Sequence, residues 1–155
     1  MVTTNRPTAL YLDVCTLCRP FDDQNQPRIR REAESYYRIL QAMQNGRYAL
    51  VCSPVHLAEI AAITDPLERN EVKAILVQQG MPCASGDLTP LRQRAEALAA
   101  QSMGTADAAH VAFAEGNAAY FITCDDRLLK QCARLGVNVQ ALTPTAFCEQ
   151  EQLTT

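Results

Sequence analysis

Short apolar runs rich in β-forming residues alternate with longer stretches of helical periodicity along this sequence. Glycine closes the helical stretches, and a new apolar run follows each of these glycines. The alternation predicts βαβ units, and uninterrupted apolar runs are typical of strands that are covered on both faces. We therefore expect an α/β protein with a mostly parallel sheet. The predicted strands are Ala9–Val14, Tyr48–Cys52, Met81–Ala84, Ala119–Thr123 and Val137–Gln140.

Capping side chains mark the starts of the predicted helices. Ser53 precedes Pro54 and Thr89 precedes Pro90, so each pair places a hydroxyl cap before a proline that suits the first helical position. Further helix starts are predicted from Asp65, Thr105 and Asp125.

The first long helix follows an unusually long connection. Apolar residues recur at a 4-3-4-3 spacing from Ile29 to Met43, which predicts one buried stripe. Roughly fourteen residues, from Cys15 to Arg28, separate this helix from the first strand, whereas most such connections have ~2–6 residues. The segment is expected either to contact a substrate or to decorate the surface.

Length and composition limit the class of protein. The 155 residues suffice for one domain, assigned to 1–148, with a C-terminal tail at 149–155. No apolar run approaches the ~18 residues of a membrane span, and the N-terminus lacks the apolar core of a secretory signal. An odd number of cysteines, seven, in mostly apolar surroundings favours a reducing, cytoplasmic setting. The net charge of −3 argues against broad coating of nucleic acid and leaves only local contact.

Four acidic residues stand in apolar surroundings, where a carboxylate is costly unless it is paired or bound to a metal. Asp13 ends the first strand, Glu59 lies inside an apolar helix, Asp107 lies near a helix start, and Asp125 follows the fourth strand. Each also has an ordinary explanation. Asp107 and Asp125 suit helix N-termini, Asp13 suits a strand-end turn, and Glu59 can face solvent.

All four positions can reach the carboxyl end of the sheet, where open parallel sheets bind ligands. Converging carboxylates repel each other without a cation, and hard oxygen ligands select Mg²⁺ or Mn²⁺. His56 and His110 are expected on helix surfaces or as supporting residues. A cation held by carboxylates suits phosphoryl chemistry, and the sequence contains no glycine-rich phosphate loop that would indicate a nucleotide site.

The order of these motifs resembles that of the PIN-domain nucleases, and most of all the VapC-like toxins of type II toxin–antitoxin pairs. The resemblance extends from about residue 8 to residue 148. It implies a three-layer α/β/α sandwich with about five strands, and an Mg²⁺- or Mn²⁺-dependent endoribonuclease. It also implies three partners, namely RNA, an antitoxin protein and a second copy of the chain. The motifs are Leu12–Asp13, Glu59 after Ser53–Pro54, Asp107–Ala109 and Ile122–Asp125.

The resemblance assigns roles to individual residues. Four carboxylates would bind the metal and act in catalysis, and Thr123 would help to hold their pocket. Cys15 stands where the family often has Asn or Ser, and a thiol supports a carboxylate less well. Asp126 is a second acid beside the last of the four and can also face the metal. The four carboxylates are Asp13, Glu59, Asp107 and Asp125.

Local positive charge would hold the RNA backbone in this interpretation. The same arginines can instead solvate their helix or pair with Glu32 and Glu34. The arginines are Arg19, Arg28, Arg30 and Arg31.

Two other functions fit the sequence. A haloacid-dehalogenase-like phosphatase would use Asp13 as nucleophile and the Asp125–Asp126 pair for metal, but Cys15 replaces its usual second acid. A PIN-like domain with a weakened pocket would only bind RNA or another protein.

Overall fold

A single parallel sheet forms the centre of the protein. The computed structural model describes residues 6–83 and 86–153. Neighbouring strands in the order β3-β2-β1-β4-β5 all run parallel, which confirms the predicted five-stranded parallel sheet. The strand order reverses between β1 and β4. The strands are β1 (Thr8–Leu12), β2 (Tyr48–Cys52), β3 (Gly80–Pro82), β4 (Tyr120–Ile122) and β5 (Gln140–Leu142).

Eight α-helices connect and cover the strands in the described part of the chain. None of them combines the length and apolarity that a bilayer span requires. The helices are α1 (Val14–Leu17), α2 (Pro27–Gln44), α3 (Pro54–Ala61), α4 (Pro66–Gln79), α5 (Thr89–Ala100), α6 (Thr105–Asn117), α7 (Asp126–Leu135) and α8 (Pro144–Gln150).

Two hydrophobic cores lie on opposite faces of the sheet. Leu10 and Leu12 of β1 point into one core, together with Phe147 of α8 and residues of α2. Tyr11, between them in sequence, points into the other core with Val111 of α6. This alternation follows from the period of two in a strand. The arrangement agrees with the expected three-layer α/β/α sandwich.

Several predicted caps are confirmed. Side chains of Ser53, Asp65 and Asp125 accept backbone N–H hydrogen bonds in the first turns of α3, α4 and α7. The predictions for Thr89 and Thr105 are wrong, because both residues already lie within their helices. The N-cap positions of α5 and α6 are Leu88 and Gly104, which provide no side-chain cap, although Asp87 Oδ1 accepts from the Thr89 N–H at 2.9 Å.

Most strand boundaries and the long connection differ from the prediction, with the largest differences at the first and last strands. The first strand ends at Leu12 because Asp13 caps the short helix α1. The connection therefore contains α1 and a turn of 3-10 helix at Arg19–Phe21. The last strand begins at Gln140, since Gly136 ends α7 in the left-handed conformation and the next residues complete that turn.

The predicted C-terminal tail is packed as far as the structure describes it. Helix α8 continues to Gln150, and Leu153 is buried in the core beside α8. The Leu153 N–H donates to the Cys148 carbonyl at 2.9 Å. Burial of this leucine ties residues 149–153 to the domain. Residues 154–155, and Ala84 of the predicted third strand, lie outside the described residues.

Gly80 tests the junction between α4 and β3. A Cβ at Gly80 would lie 2.1 Å from the Leu76 carbonyl oxygen, whereas a Cβ at Gly116 meets nothing within 4 Å. We expect Gly80→Ala to lower the free energy of unfolding by about 1–3 kcal/mol through overpacking. The control Gly116→Ala, inside α6, should raise it by about 0.5 kcal/mol. Urea unfolding measures the free energy of unfolding of both variants. Equal values would contradict the close packing of Gly80 against α4.

Candidate active site

The candidate site lies where the strand order reverses, at the carboxyl ends of β1 and β4. Asp13 follows β1 directly, and its N–H donates to the Ile122 carbonyl of β4 at 3.2 Å. Asp125 lies three residues beyond Ile122. This is the crevice in which open α/β sheets bind ligands, as the sequence predicts.

Asp13 is the most enclosed of the four acids, with 5% exposure. Its Oδ1 accepts hydrogen bonds from the Thr16 N–H at 3.1 Å, the Thr16 hydroxyl at 2.8 Å and the Cys15 thiol at 3.0 Å. Its Oδ2 accepts from the Thr123 hydroxyl at 2.5 Å. Burial raises the pKa of Asp13, and these hydrogen bonds act in the opposite direction. Asp13 is therefore both the cap of α1 and a rigidly held carboxylate.

Thr123 joins two of the acids. Its hydroxyl donates to Asp13 and accepts from the Asp125 N–H at 3.0 Å. Asp125 is exposed, and its Oδ1 accepts from the Arg127 and Leu128 N–H groups at the start of α7. Both cap bonds use Oδ1, which leaves the other oxygen for a further ligand.

The charges of the other three acids act on the pKa of Asp107. It lies in the first turn of α6 and is partly buried. Burial raises its pKa, and the charges of Asp125 and Asp13 raise it further. His110 opposes this shift, and the charge of Glu59 makes the smallest contribution to it. Three carboxylates thus repel the ionised form of the fourth. A cleft of about 300 Å³ is lined by Asp107 and Asp125, with Arg127 at its wall.

Glu59 lies in α3, across the site, and its side chain is 36% exposed. Its Oε1 accepts from His110 Nε2 at 2.8 Å, and this hydrogen bond lowers the pKa of Glu59. Glu59 is therefore neither fully solvated nor buried. It reaches the edge of the acidic region as one member of a pair.

Both histidines are buried, which excludes the helix-surface alternative and leaves the expectation of supporting residues. His56 is 0% and His110 2% exposed. His110 supports Glu59, while His56 completes the capping box of α3 with Ser53. The position of His56 three residues after Ser53 was the available sequence signal, since a capping box needs this spacing.

The donor chemistry of the acids fits a hard divalent cation, although their side chains do not form a closed cage. Among the described residues, no three His, Cys, Asp or Glu side chains lie close enough together to enclose an ion. Oδ2 of Asp13 accepts a hydrogen bond from Thr123 alone, so one lone pair remains for a ligand. Burial and the charges of Asp125 and Asp13 disfavour the ionised form of Asp107, and a cation would offset this effect.

The Asp125–Asp126 pair divides into two roles. Asp126 forms a bidentate ion pair with Arg28, with both N···O distances at 2.7 Å. This hydrogen bonding lowers the pKa of Asp126. Asp125 lines the cleft, whereas Asp126 faces Arg28, so of the two acids Asp125 is the one available to a ligand in the cleft.

Two of the four predicted RNA-binding arginines already have acidic partners. Arg19 donates to the buried Glu32 at 3.1 Å, and Arg28 also lies 3.4 Å from it. The alternative expectation of pairing with Glu32 holds for these two. Arg30 and Arg31 are exposed on α2.

A comparison with protein-family models finds no match, and comparisons with curated proteins and with solved structures find none either. The chemistry of the site is therefore argued from its own residues.

Burial of Asp107 and its repulsion by the neighbouring acids predict a stability that depends on pH. The raised pKa means that ionisation above the ordinary value of 3.8 favours the unfolded state, so the penalty is absent below that pH and grows above it. We expect Asp107→Asn to raise the melting temperature at pH 7 but not near pH 3. Mn²⁺ should reduce the difference in melting temperature between Asp107→Asn and wild type at pH 7, because it stabilises the wild type. Asp87→Asn, which removes an exposed carboxyl with a lowered pKa, should show no such gain. Parallel melting curves at every pH would contradict the repulsion.

Proposed function

We propose that this protein is an Mg²⁺- or Mn²⁺-dependent endoribonuclease. The observation that carries the proposal is the group of Asp13, Asp107 and Asp125 at the sheet's reversal point, where burial and like charge raise the pKa of Asp107. Repelling carboxylates beside a cleft are stable as a set when a cation lies between them.

The chain's own residues divide the work. A bound divalent cation would supply an activated water and stabilise charge on a phosphodiester. Asp13, Asp107 and Asp125 would hold it, and Thr123 fixes the spacing of two of them by bonding to both. Glu59 would complete the ligand set or orient the attacking water. This division requires no nucleophilic side chain.

RNA as the substrate rests on the resemblance to PIN-domain nucleases and on local positive charge. Arg127 lines the cleft and would lie near a bound phosphate. Arg30 and Arg31 offer further exposed charge on α2. Arg19 and Arg28 would attract RNA less strongly, because their positive charge is partly neutralised by Glu32.

The biological setting is proposed from the resemblance alone. The protein would be the toxin of a toxin–antitoxin pair, cytoplasmic, homodimeric and neutralised by an antitoxin protein. A phosphatase that uses Asp13 as nucleophile is less well supported, because Oδ1 of Asp13 already accepts three hydrogen bonds.

RNA cleavage by matched variants tests the function. We expect cleavage of an RNA panel with Mg²⁺ or Mn²⁺, loss of cleavage with EDTA, and loss of at least about 100-fold in Asp13→Asn and Asp107→Asn. The control Asp23→Asn changes an exposed acid and should cleave normally. Because Asp107→Asn is expected to be more stable than wild type at pH 7, unfolding cannot explain its inactivity.

Equal cleavage by wild type and Asp13→Asn would refute the assigned site. Turnover of p-nitrophenyl phosphate without RNA cleavage would favour the phosphatase. RNA binding that all variants retain, with no cleavage at all, would favour a binding module.

Neighbouring acids provide a second comparison. Asp125→Asn keeps an efficient helix cap but removes a charge from the cleft, so cleavage should fall by at least about 100-fold. Asp126→Asn breaks the ion pair with Arg28 and should retain cleavage within about threefold, because exposed pairs contribute little. Initial rates at saturating Mn²⁺ measure both, and the reverse order of activities would contradict the assignment of Asp125.

A further inference from the structure

A chain of hydrogen bonds runs from Glu59 into the interior of the protein. Glu59 Oε1 lies 2.8 Å from His110 Nε2, and His110 Nδ1 lies 2.5 Å from the Tyr11 hydroxyl oxygen. That hydroxyl lies 2.7 Å from Ser53 Oγ, which is 3.2 Å from His56 Nδ1. The chain joins β1, α3 and α6.

The interior members of the chain are almost inaccessible to water. Tyr11, His56, Ser53 and His110 are between 0% and 2% exposed. Buried polar groups of this kind are costly unless each finds a partner, and every one of these does. Because each of these groups has a partner, rotation of any single ring would break at least one of the contacts.

Backbone partners fix the protonation of His56. Its Nδ1 accepts from the Ser53 N–H at 3.0 Å, and its Nε2 lies 2.7 Å from the Leu12 carbonyl, which can only accept. His56 is thus neutral with its proton on Nε2, and burial lowers its pKa to about 4. It forms a fixed end of the chain.

The ring of His110 is held at both nitrogens. Nε2 donates to the Glu59 carboxylate, and Nδ1 is bonded to Tyr11, whose pKa is raised by burial so that it stays a phenol. Turning the ring breaks both bonds. His110 also follows Asp107 by one turn of α6, which places it between two acids of the site.

On the basis of the proposed function, we propose that His110 is a positioning residue, which holds the Glu59 carboxylate beside the other acids while Tyr11 and Ser53 fix the imidazole. This role differs from metal binding, because both nitrogens of His110 are already used. It also explains a buried tyrosine hydroxyl in an otherwise apolar core.

Imidazole nitrogen NMR tests the positioning without any activity. The chain has only two histidines, so the spectrum of metal-free protein at neutral pH contains two rings. We expect His56 as the Nε2–H tautomer and His110 with a protonated Nε2. Tyr11→Phe should shift the Nδ1 resonance of His110, and Glu59→Gln its Nε2 resonance. Unchanged His110 resonances in both variants would overturn the inference.

Kinetics separate positioning from packing. Tyr11→Phe should lower kcat for Mn²⁺-dependent RNA cleavage about tenfold, leave the KM for RNA unchanged and raise the half-saturating Mn²⁺ concentration. Tyr36→Phe, which alters a buried tyrosine in the opposite core, should match wild type. His110→Gln keeps an N–H donor for Glu59 and should retain most of kcat, whereas His110→Leu should not.

The outcomes distinguish this inference from the proposed function. If wild type fails to cleave RNA, the proposed function fails, and Mn²⁺ affinity measured by calorimetry then decides the role of His110. Weaker Mn²⁺ binding in His110→Leu and Tyr11→Phe than in Tyr36→Phe supports positioning. Active wild type with the same kcat in Tyr11→Phe and Tyr36→Phe overturns the inference alone.

Discussion

The rest of the candidate site depends on the hydrogen bonds that hold the Asp13 carboxylate in place. This carboxylate caps α1 through Thr16 and accepts from Thr123, so one side chain joins the ends of β1 and β4. The same threonine holds the Asp125 N–H. A carboxylate buried among polar donors resists both exposure and rotation, which gives the acidic region a rigid reference point.

Asp13 is held rigidly by hydrogen bonds, whereas Asp107 is repelled by the neighbouring acids. The charges of three acids act on Asp107 in a region where burial already disfavours its ionised form. Among the described residues nearby, Arg28 is bound to Asp126, and His110 to Glu59. The folded protein thus keeps a local excess of negative charge, a stability penalty typical of a functional site. A divalent cation would convert that penalty into binding energy.

The sequence predicts what is local and periodic. The apolar runs predict the positions of the parallel strands. Asp125 and Ser53 are predicted as helix caps from their spacing alone. Helix α1 escapes prediction because four residues cannot display a helical period. The contact between Tyr11 and His110 spans 99 residues and depends on the packing of α6 against β1, which no local pattern encodes. Sequence alone therefore suggests the acids and a supporting role for the histidines, but not that His110 contacts Glu59 or that Tyr11 fixes its ring.

We propose that Asp13, Asp107 and Asp125 form one cation site. Calorimetric titration of the metal-free protein with Mn²⁺ at pH 7 tests it most directly, with Asp13→Asn and Asp23→Asn titrated in parallel. We expect saturable Mn²⁺ binding for which Mg²⁺ competes. The affinity should be retained in Asp23→Asn and weakened by at least about tenfold in Asp13→Asn. Absence of saturable binding, or equal affinity in both variants, would contradict the proposed site.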